Sequence, residues 1–193
     1  MTGARAAFLD RDGVLNEGVP DPETGLLESP LHPDQVCLLP GVGAALRELA
    51  AAGYLLVGAS NQPAAAKGKV SLEELIATQE RVLELLAAEG VHLDGFKLCF
   101  HHPQGTIEGL SGSCECRKPA PAMLLEAAAE LSIDLANSWM IGDTDADVGA
   151  GRNAGVRTVL VEYAGSSHKR DGVLTPDLRV ADLPAAVAAI RNG

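Results

Sequence analysis

The chain has 193 residues, of which 47% are hydrophobic and 3% aromatic, and its formal net charge is −11. This length fits one domain with a sizeable core, so residues 1–193 are predicted to form a single domain. The acidic balance argues against a nucleic-acid partner, which would need a basic surface. No apolar run is long enough to cross a membrane. The first predicted strand starts too early to leave room for a signal peptide, which favours the cytoplasm.

The first predicted element is a short apolar strand, residues 5–9, that ends at two aspartates one residue apart. Residues i and i+2 of an extended chain point the same way, so Asp10 and Asp12 should face one site while Arg11 points away. Gly13 allows a sharp turn out of the strand. Two adjacent carboxylates repel, so a site that keeps both ionised needs a divalent cation or a shared proton. The alternative is an acidic turn after a strand.

Residues 17–35 are rich in proline and turn residues. Prolines at this density exclude a long helix and favour an ordered loop or a small hairpin. The length of the segment, and its position directly after the aspartates, predict that it leans over the site on the substrate side. Cys37, which follows it, is expected to be a core residue.

Strands and helices alternate along the rest of the chain. Continuous apolar runs predict strands buried on both faces, and capping signals bound the helices between them. This alternation predicts a doubly wound parallel sheet with helices on both faces. We expect the inner side of the second helix to carry Leu72, Leu75, Ile76, Val82, Leu85 and Leu86. Predicted strands are residues 54–58, 95–100, 139–141, 157–161 and 178–180; predicted helices are 42–52, 72–89, 119–131, 147–154 and 183–191.

Polar residues follow the predicted strands, at the edge where parallel sheets bind ligands. Asp143 ends one strand and could join Asp10 as a ligand across neighbouring strands, and such oxygen ligands suit Mg²⁺ with retained waters. Ser60 and Asn61 end another strand and could bind a phosphate oxygen, or simply form a turn. The sequence therefore predicts a magnesium and phosphate site at this edge.

A cation for this site is available before the third predicted helix. Lys118 follows Arg117 in an Arg-Lys-Pro-Ala-Pro segment, and its ammonium could lie at the helix N-terminus, which favours anions; otherwise it is a solvated lysine. Downstream, Asp145 or Asp147 could be an ordinary acid that caps a helix. Two carboxylates, magnesium, a hydroxyl and a lysine together are the components of phosphoryl transfer.

The loop of residues 99–116 contains three of the four cysteines. In a reducing compartment such clustering favours a metal over disulfides. Cys99, His101, Cys114 and Cys116 would fill the closed tetrahedral shell of structural zinc, so zinc should order the loop and not catalyse. His101 is favoured over His102 because it shares the strand-like parity of Cys99. Reduced cysteines beside surface histidines are the alternative.

The chain resembles the haloacid dehalogenase superfamily of phosphohydrolases, and within it the branch of heptose bisphosphate phosphatases and histidinol phosphatases. The resemblance spans residues 8–161 and implies a Rossmann-like fold with a minimal cap made of loops. The long loop from His101 to Gly105 is similar to that of the heptose enzymes. The motifs that carry the resemblance are Asp10-Arg11-Asp12-Gly13, Ser60-Asn61-Gln62, Cys116-Arg117-Lys118-Pro119 and Gly142-Asp143.

This resemblance implies a role for each matching residue. Asp10 would be the nucleophile that forms an aspartyl-phosphate, and Asp12 would protonate the leaving oxygen and later activate water. Magnesium would be held by Asp10, the backbone carbonyl of Asp12 and Asp143. Ser60 and Lys118 would stabilise the transferred phosphoryl group. Contacts with substrate are expected at Asn61, Gln62, Arg117 and Thr144.

Three features depart from the family pattern. Ser60 stands where the family often has threonine, and Thr144 where it often has lysine. The loop after Asn16 is several residues longer and lacks the usual aspartate-x-glycine-tyrosine run. The resemblance implies a small phosphorylated substrate. The leading hypothesis is a sugar bisphosphate, with hydrolysis of the 7-phosphate of the heptose. Histidinol phosphate or another small sugar phosphate is the alternative, a zinc-stabilised binding module without catalysis is a third, and a monomer is expected.

Overall fold

The computed structural model describes residues 3–22 and 24–192. The signal-peptide prediction was drawn from a segment that begins at Met1 and Thr2, so it lies partly outside the described residues. None of the described helices has the length and hydropathy that a membrane span needs. The strands are β1 (Arg5–Leu9), β2 (Val19–Pro20), β3 (Leu27–Glu28), β4 (Tyr54–Asn61), β5 (Gly95–Cys99), β6 (Trp139–Gly142), β7 (Arg157–Val161) and β8 (Leu178–Val180). The α-helices are α1 (Val42–Ala51), α2 (Leu72–Ala88), α3 (Ala122–Leu131), α4 (Asp145–Ala154) and α5 (Leu183–Asn192).

Six of these strands form one parallel sheet in the order β5-β4-β1-β6-β7-β8. The chain builds outward from β1 in both directions, first to β4 and β5 and later to β6, β7 and β8. The point where the direction reverses is where open parallel sheets bind ligands. The predicted doubly wound parallel sheet is confirmed, and β1 directs its carboxyl end to the reversal point.

The sheet is buried because apolar side chains cover both of its faces. On β1, Ala7 and Leu9 pack into a core with α1, α2 and α5. Ala6 and Phe8 point the other way and pack with α3 and the end of α4. This alternation explains why the strand is a continuous apolar run, since both of its faces are covered.

The proline-rich segment contains the small hairpin that the sequence predicts. Strands β2 and β3 pair antiparallel, with Val19 opposite Glu28. The hairpin is held to the end of β7 by a hydrogen bond from the Gly18 N–H to the Tyr163 hydroxyl, 3.2 Å long. It thereby places Glu28 and Ser29 over the carboxyl edge of the sheet.

Several boundaries differ from the sequence prediction. Strand β4 extends through Asn61, so Ser60 lies within the strand and not after it. Helix α3 begins at Ala122, which leaves Lys118 in the preceding turn. Helix α4 begins at Asp145, two residues earlier than predicted, because Thr144 and Asp147 form a capping box.

Two predictions of burial were wrong. Cys37 is exposed, because Asn16 bridges Leu38 in an extended segment and alternate residues of such a segment face opposite ways. On α2, the predicted core residues Leu72 and Ile76 are 38% and 44% exposed. The helix instead turns toward the core the side that carries Leu75, Val82 and Leu86.

Candidate active site

Three buried carboxylates meet at the carboxyl edge of the sheet. Asp10 follows β1, Asp143 follows β6, and Asp147 lies in the first turn of α4. One oxygen of each lies within 4.8 Å of the others, and the residues are 9%, 4% and 1% exposed. The expected approach of Asp10 and Asp143 is present. Asp147 joins them, although sequence reasoning had weighed it only as a helix cap.

Asp147 uses its two oxygens for two purposes. Its Oδ2 accepts hydrogen bonds from the Thr144 backbone N–H at 3.0 Å and from the Thr144 hydroxyl at 2.6 Å, which caps α4. Its Oδ1 lies 2.5 Å from Lys118 Nζ. The capping interpretation was therefore right but incomplete, and the spacing of Asp143 and Asp147 across a strand end and a helix start was the available signal.

Lys118 is the cation at the centre of these acids. Its Nζ lies 2.9 Å from Asp10 Oδ1 and donates to the Ala59 carbonyl oxygen at 2.7 Å. Burial by itself would lower the pKa of Lys118, but the Asp10 and Asp147 carboxylates raise it above its usual value. The lysine is thus a buried ammonium at the floor of the site and not a group at the N-terminus of α3.

Asn61 fixes the backbone of Lys118. Its Oδ1 accepts from the Lys118 N–H at 3.0 Å, and its Nδ2 donates to the Lys118 carbonyl oxygen at 3.1 Å. Asn61 also lines the pocket above the acids. Its predicted contact with substrate stays a prediction, whereas its contact with Lys118 was not foreseen.

Asp12 lies at the same edge within a dense hydrogen-bond network. It accepts from Asn16 Nδ2 at 2.9 Å, from Gln62 Nε2 at 2.7 Å and from Arg11 Nε at 3.1 Å. Gln62 Nε2 also donates to Ser60 Oγ at 3.1 Å. Burial opposes ionisation of Asp12, but the Arg11 guanidinium and the hydrogen bonds from Asn16 and Gln62 together lower the pKa of this carboxyl. The site therefore holds Asp12 as a carboxylate.

The prediction that Arg11 points away was wrong. The chain leaves the strand after Leu9 and turns, so strand parity no longer holds at Arg11. Its side chain is fully buried, and Nη2 donates to Gln62 Oε1 at 2.8 Å. Gln62 is itself only 1% exposed, so it reaches Asp12 and Ser60 from below the pocket. The predicted contact of Gln62 with substrate stays a prediction.

Gly13 makes the turn possible for two reasons. Its φ is +78°, a left-handed conformation that residues with a side chain rarely adopt. A Cβ atom at this position would also lie 2.1 Å from Asp143 Oδ2 and 2.9 Å from Tyr163 Cδ1. The glycine therefore permits the close approach of the Asp12 turn to Asp143.

A pocket of about 330 Å³ opens above the acids. Ser60, Asn61, Arg117 and Thr144 line it beside Asp10 and Asp12, as do Glu28 and Ser29 of the 17–35 loop. Two residues of that loop therefore reach the pocket, and its predicted place on the substrate side stays a prediction. The pocket combines a carboxylate-rich floor with cationic side chains higher up, an arrangement that can accept a phosphate together with a divalent cation.

The predicted zinc ligands lie together beside this pocket. Sulfur atoms of Cys99, Cys114 and Cys116 lie 3.0–3.6 Å apart, and His101 Nδ1 lies 3.4 Å from Cys116 Sγ. Four ligands at about 2–2.3 Å around a tetrahedral zinc ion lie about 3.3–3.8 Å from one another. Three of the four measured separations lie in this range and the Cys99–Cys116 sulfur separation of 3.0 Å is slightly shorter, so the donor set and its spacing fit structural zinc. His102 points elsewhere, and its Nδ1 accepts a hydrogen bond from the Gln104 N–H at 3.1 Å.

Comparison with known proteins agrees with this geometry. The family model described as HAD-hyrolase-like matches residues 115–186. The D-glycero-beta-D-manno-heptose-1,7-bisphosphate 7-phosphatase of Yersinia pestis is 38% identical over 187 residues, which cover 95% of each chain. The protein of the same name from Escherichia coli K12 is 37% identical over 188 residues, covering 94% of this chain and 93% of its own.

The chain belongs to the haloacid dehalogenase-like hydrolases. A solved structure of the D,D-heptose 1,7-bisphosphate phosphatase of B. bronchiseptica, complexed with magnesium and phosphate, matches it with a TM-score of 0.74 and 28% identity, covering 97% of this chain and 98% of that one. These relatives are named phosphatases, and the match covers nearly their full length. This haloacid dehalogenase-like chain is accordingly an enzyme of the phosphatase class.

The donor set of the haloacid dehalogenase-like site fits magnesium. Asp10, Asp143 and Asp147 carry three potential negative charges in a buried volume, against the single ammonium of Lys118. Burial and the neighbouring Asp147 raise the pKa of Asp10 to about 6. Burial and Asp10 likewise raise the pKa of Asp143 well above its usual value. A divalent cation bound by oxygen ligands would relieve this excess of negative charge.

The raised pKa of Asp10 predicts a pH-dependent response to magnesium. Without metal, ionisation of a carboxyl whose pKa is higher in the folded than in the unfolded protein destabilises the fold. The contribution of Asp10 to stability therefore falls as pH rises from about 4 to 6. Because Mg²⁺ binds the carboxylate form, the rise in Tm on adding MgCl₂ should be larger at pH 7.5 than at pH 5. Thermal denaturation at both pH values tests this, and an equal rise would contradict it.

Proposed function

We propose that this phosphatase removes the 7-phosphate of D-glycero-D-manno-heptose 1,7-bisphosphate. The reaction class is supported by one observation above the others. Asp10 lies at the floor of the pocket with Asp12, Asp143 and Lys118 around it, and these residues come from three separate segments of the chain. The choice of sugar is supported by the names of the relatives, which are 37–38% identical over nearly the whole chain.

In this proposal Asp10 is the nucleophile. Its Oδ1 accepts the Arg11 backbone N–H at 2.7 Å and lies 2.9 Å from Lys118 Nζ, so the carboxylate is held in one orientation. Attack on phosphorus forms an aspartyl-phosphate and breaks the bond to the sugar oxygen. Asp12 protonates that oxygen and then takes a proton from the water that hydrolyses the aspartyl-phosphate. Phosphate is released, and Asp10 and Asp12 return to their starting states.

Asp12 must carry a proton when the sugar leaves, although its pKa is lowered in the free site by Arg11 and its hydrogen-bond donors, which outweigh the effect of burial. A phosphate dianion beside Asp12 would favour the neutral carboxyl. Substrate binding is therefore expected to raise the pKa of Asp12, so that this carboxyl takes up the proton that the first step uses. Arg11, Asn16 and Gln62 position the carboxyl for this task.

Ser60 and Lys118 hold the transferred phosphoryl group. Ser60 Oγ accepts a hydrogen bond from Gln62 Nε2, which leaves its own O–H available for a phosphate oxygen. Lys118 supplies a fixed positive charge. Magnesium held by Asp10, Asp143 and the Asp12 carbonyl would supply further positive charge against the phosphoryl oxygens. Zinc on Cys99, His101, Cys114 and Cys116 would order the loop that leads to Lys118.

The experiment that tests the proposal is a substrate panel. Phosphate release is measured with MgCl₂ on both anomers of the heptose 1,7-bisphosphate, on histidinol phosphate and on simple sugar monophosphates. We expect the highest kcat/KM on one heptose bisphosphate anomer and no turnover when Mg²⁺ is chelated. A higher kcat/KM on histidinol phosphate or on a monophosphate would overturn the choice of substrate but leave the chemistry intact.

A further inference from the structure

The upper part of the pocket is cationic although the chain is strongly acidic. Lys67, Arg117 and Lys169 line it together with Glu28, whereas the other acids of the described lining, Asp10, Asp12 and Asp143, lie at the floor. Lys67 follows β4 and Lys169 ends a short 3₁₀ helix after β7, so these two lysines reach the pocket from opposite sides of β1. We call Glu28, Lys67, Arg117 and Lys169 the rim.

Glu28 contacts the Lys169 side of the rim directly. Its Oε2 lies 2.7 Å from Lys169 Nζ, and its Oε1 lies 3.8 Å from His168 Nε2. Burial lowers the pKa of Lys67, and the nearby Glu28 carboxylate partly opposes this shift. The carboxylate of Glu28 therefore occupies a place that is favourable for an anion.

This ion pair is easy to replace. The side chains of Lys169 and Glu28 are 37% and 43% exposed, and exposed ion pairs contribute little to stability. A phosphate offers more charge and more acceptor oxygens to a lysine than a carboxylate does. An incoming phosphate would thus compete well with Glu28 for Lys169.

The rim is separate from the place where the phosphoryl group reacts. Lys118, which serves the reacting group, is 3% exposed and is held by Asp10 and Asp147. Lys169 instead contacts the β2–β3 hairpin through Glu28. A substrate with one phosphate at the floor has room to extend toward the rim within the same cavity of about 330 Å³.

We propose that Lys169, with Lys67 across the pocket, binds the second phosphate of a sugar bisphosphate and that Glu28 is the group which this phosphate displaces. The inference rests on the proposed function, because it concerns the phosphate that is not cleaved. Lys169 is a specificity-determining residue here and not a catalytic one. Glu28 competes with the second phosphate for Lys169, whereas ligands that carry no second phosphate leave this ion pair intact and gain no binding from Lys169.

The test compares a sugar bisphosphate with p-nitrophenyl phosphate, which has no second phosphate. In Lys169→Met we expect KM for the bisphosphate to rise about tenfold, as for loss of one charge-assisted hydrogen bond, with kcat unchanged. Turnover of p-nitrophenyl phosphate should not change, and Lys169→Arg should restore most of the bisphosphate KM. Glu28→Gln should lower KM for the bisphosphate, because the competing carboxylate is gone.

A purely structural role for the pair predicts a different result. If Lys169 and Glu28 only tie the hairpin to the 3₁₀ helix, Lys169→Met and Glu28→Gln should change KM in the same direction and for both substrates, which would overturn the proposal. Lys97→Met is the matched control, because Lys97 forms a 2.6 Å ion pair with Glu130 away from the pocket. If the wild-type enzyme does not prefer bisphosphates, the proposed function fails. If it does and Lys169→Met keeps the preference, only the rim assignment fails.

Discussion

Asp10→Asn should remove phosphate release. An amide is a far poorer nucleophile than a carboxylate, and loss of the nucleophile from a cooperating catalytic group costs on the order of 10⁴- to 10⁶-fold in kcat. The neighbours would remain in place, since the amide oxygen can still accept from the Arg11 N–H, 2.7 Å away in the wild type. Steady-state assays on the preferred substrate measure the effect.

Although Asp10→Asn should abolish activity, it should not lower the stability of the metal-free protein. Burial raises the pKa of Asp10 to about 6, with repulsion from Asp147 adding to it. At pH 7.5 the ionised carboxylate therefore destabilises the metal-free protein, and Asn removes that charge. We expect the Tm of metal-free Asp10→Asn to equal or exceed that of the wild type. An inactive variant with a much lower Tm would point to misfolding and would not support a nucleophile.

Asp134→Asn serves as the control for this substitution. Asp134 lies near the start of β1, where its backbone N–H donates to the Ala4 carbonyl oxygen at 2.8 Å. It is thus at the opposite end of the sheet from the pocket. Both activity and the response to Mg²⁺ should match the wild type. Turnover that survives in Asp10→Asn would require another nucleophile.

Cys116→Ser should remove zinc and destabilise the 99–116 loop. We expect about one equivalent of zinc in the wild-type protein and much less in the variant, by elemental analysis. A structural zinc ion crosslinks its loop as a disulfide would, and loss of a native disulfide typically costs about 2–5 kcal/mol. For a chain of this size each kcal/mol lowers Tm by about 2–4 °C, so a fall of roughly 10 °C is expected. Cys37→Ser is the matched control, because Cys37 is exposed and outside the cluster.

Activity should fall in the zinc-free variant, but less than in Asp10→Asn. Cys116 precedes Lys118 by two residues, and Arg117 Nη1 donates to the His101 carbonyl oxygen at 3.3 Å, so the loop helps to place the lysine. Asn61 also holds the Lys118 backbone from β4. A displaced lysine can cost up to about 100-fold. Unchanged Tm and zinc content in Cys116→Ser would rule out Cys116 as a ligand.

Much of the fold and site follows from patterns that act locally. Continuous apolar runs predict buried parallel strands, and polar residues after those strands predict where ligands bind. The spacing of Cys99, His101, Cys114 and Cys116 predicts a metal cluster, and the structure brings these four together. Such predictions succeed because the relevant contacts are between residues of one loop or along one edge of the sheet.

Other features depend on three-dimensional neighbours that sequence does not display. In the sequence Asp147 resembles an ordinary capping acid. Its ion pair with Lys118, which lies 29 positions earlier in the chain, is visible only in the folded structure. Arg11 was assigned by strand parity, which fails because the backbone turns at that point. Gln62 reaches Asp12 only through the pairing of β4 with β1.

The central position of β1 affects how the protein is made. Its neighbours are β4 on one side and β6 on the other, and β6 follows β1 in the chain by about 130 residues. Ribosomes add about 5–20 residues per second, so β1 waits on the order of ten seconds for its second neighbour. During that interval one apolar strand edge is unpaired and open to nascent-chain chaperones or to aggregation. Asp10, the proposed nucleophile, is thus synthesised early but can be assembled into an active centre only late in translation.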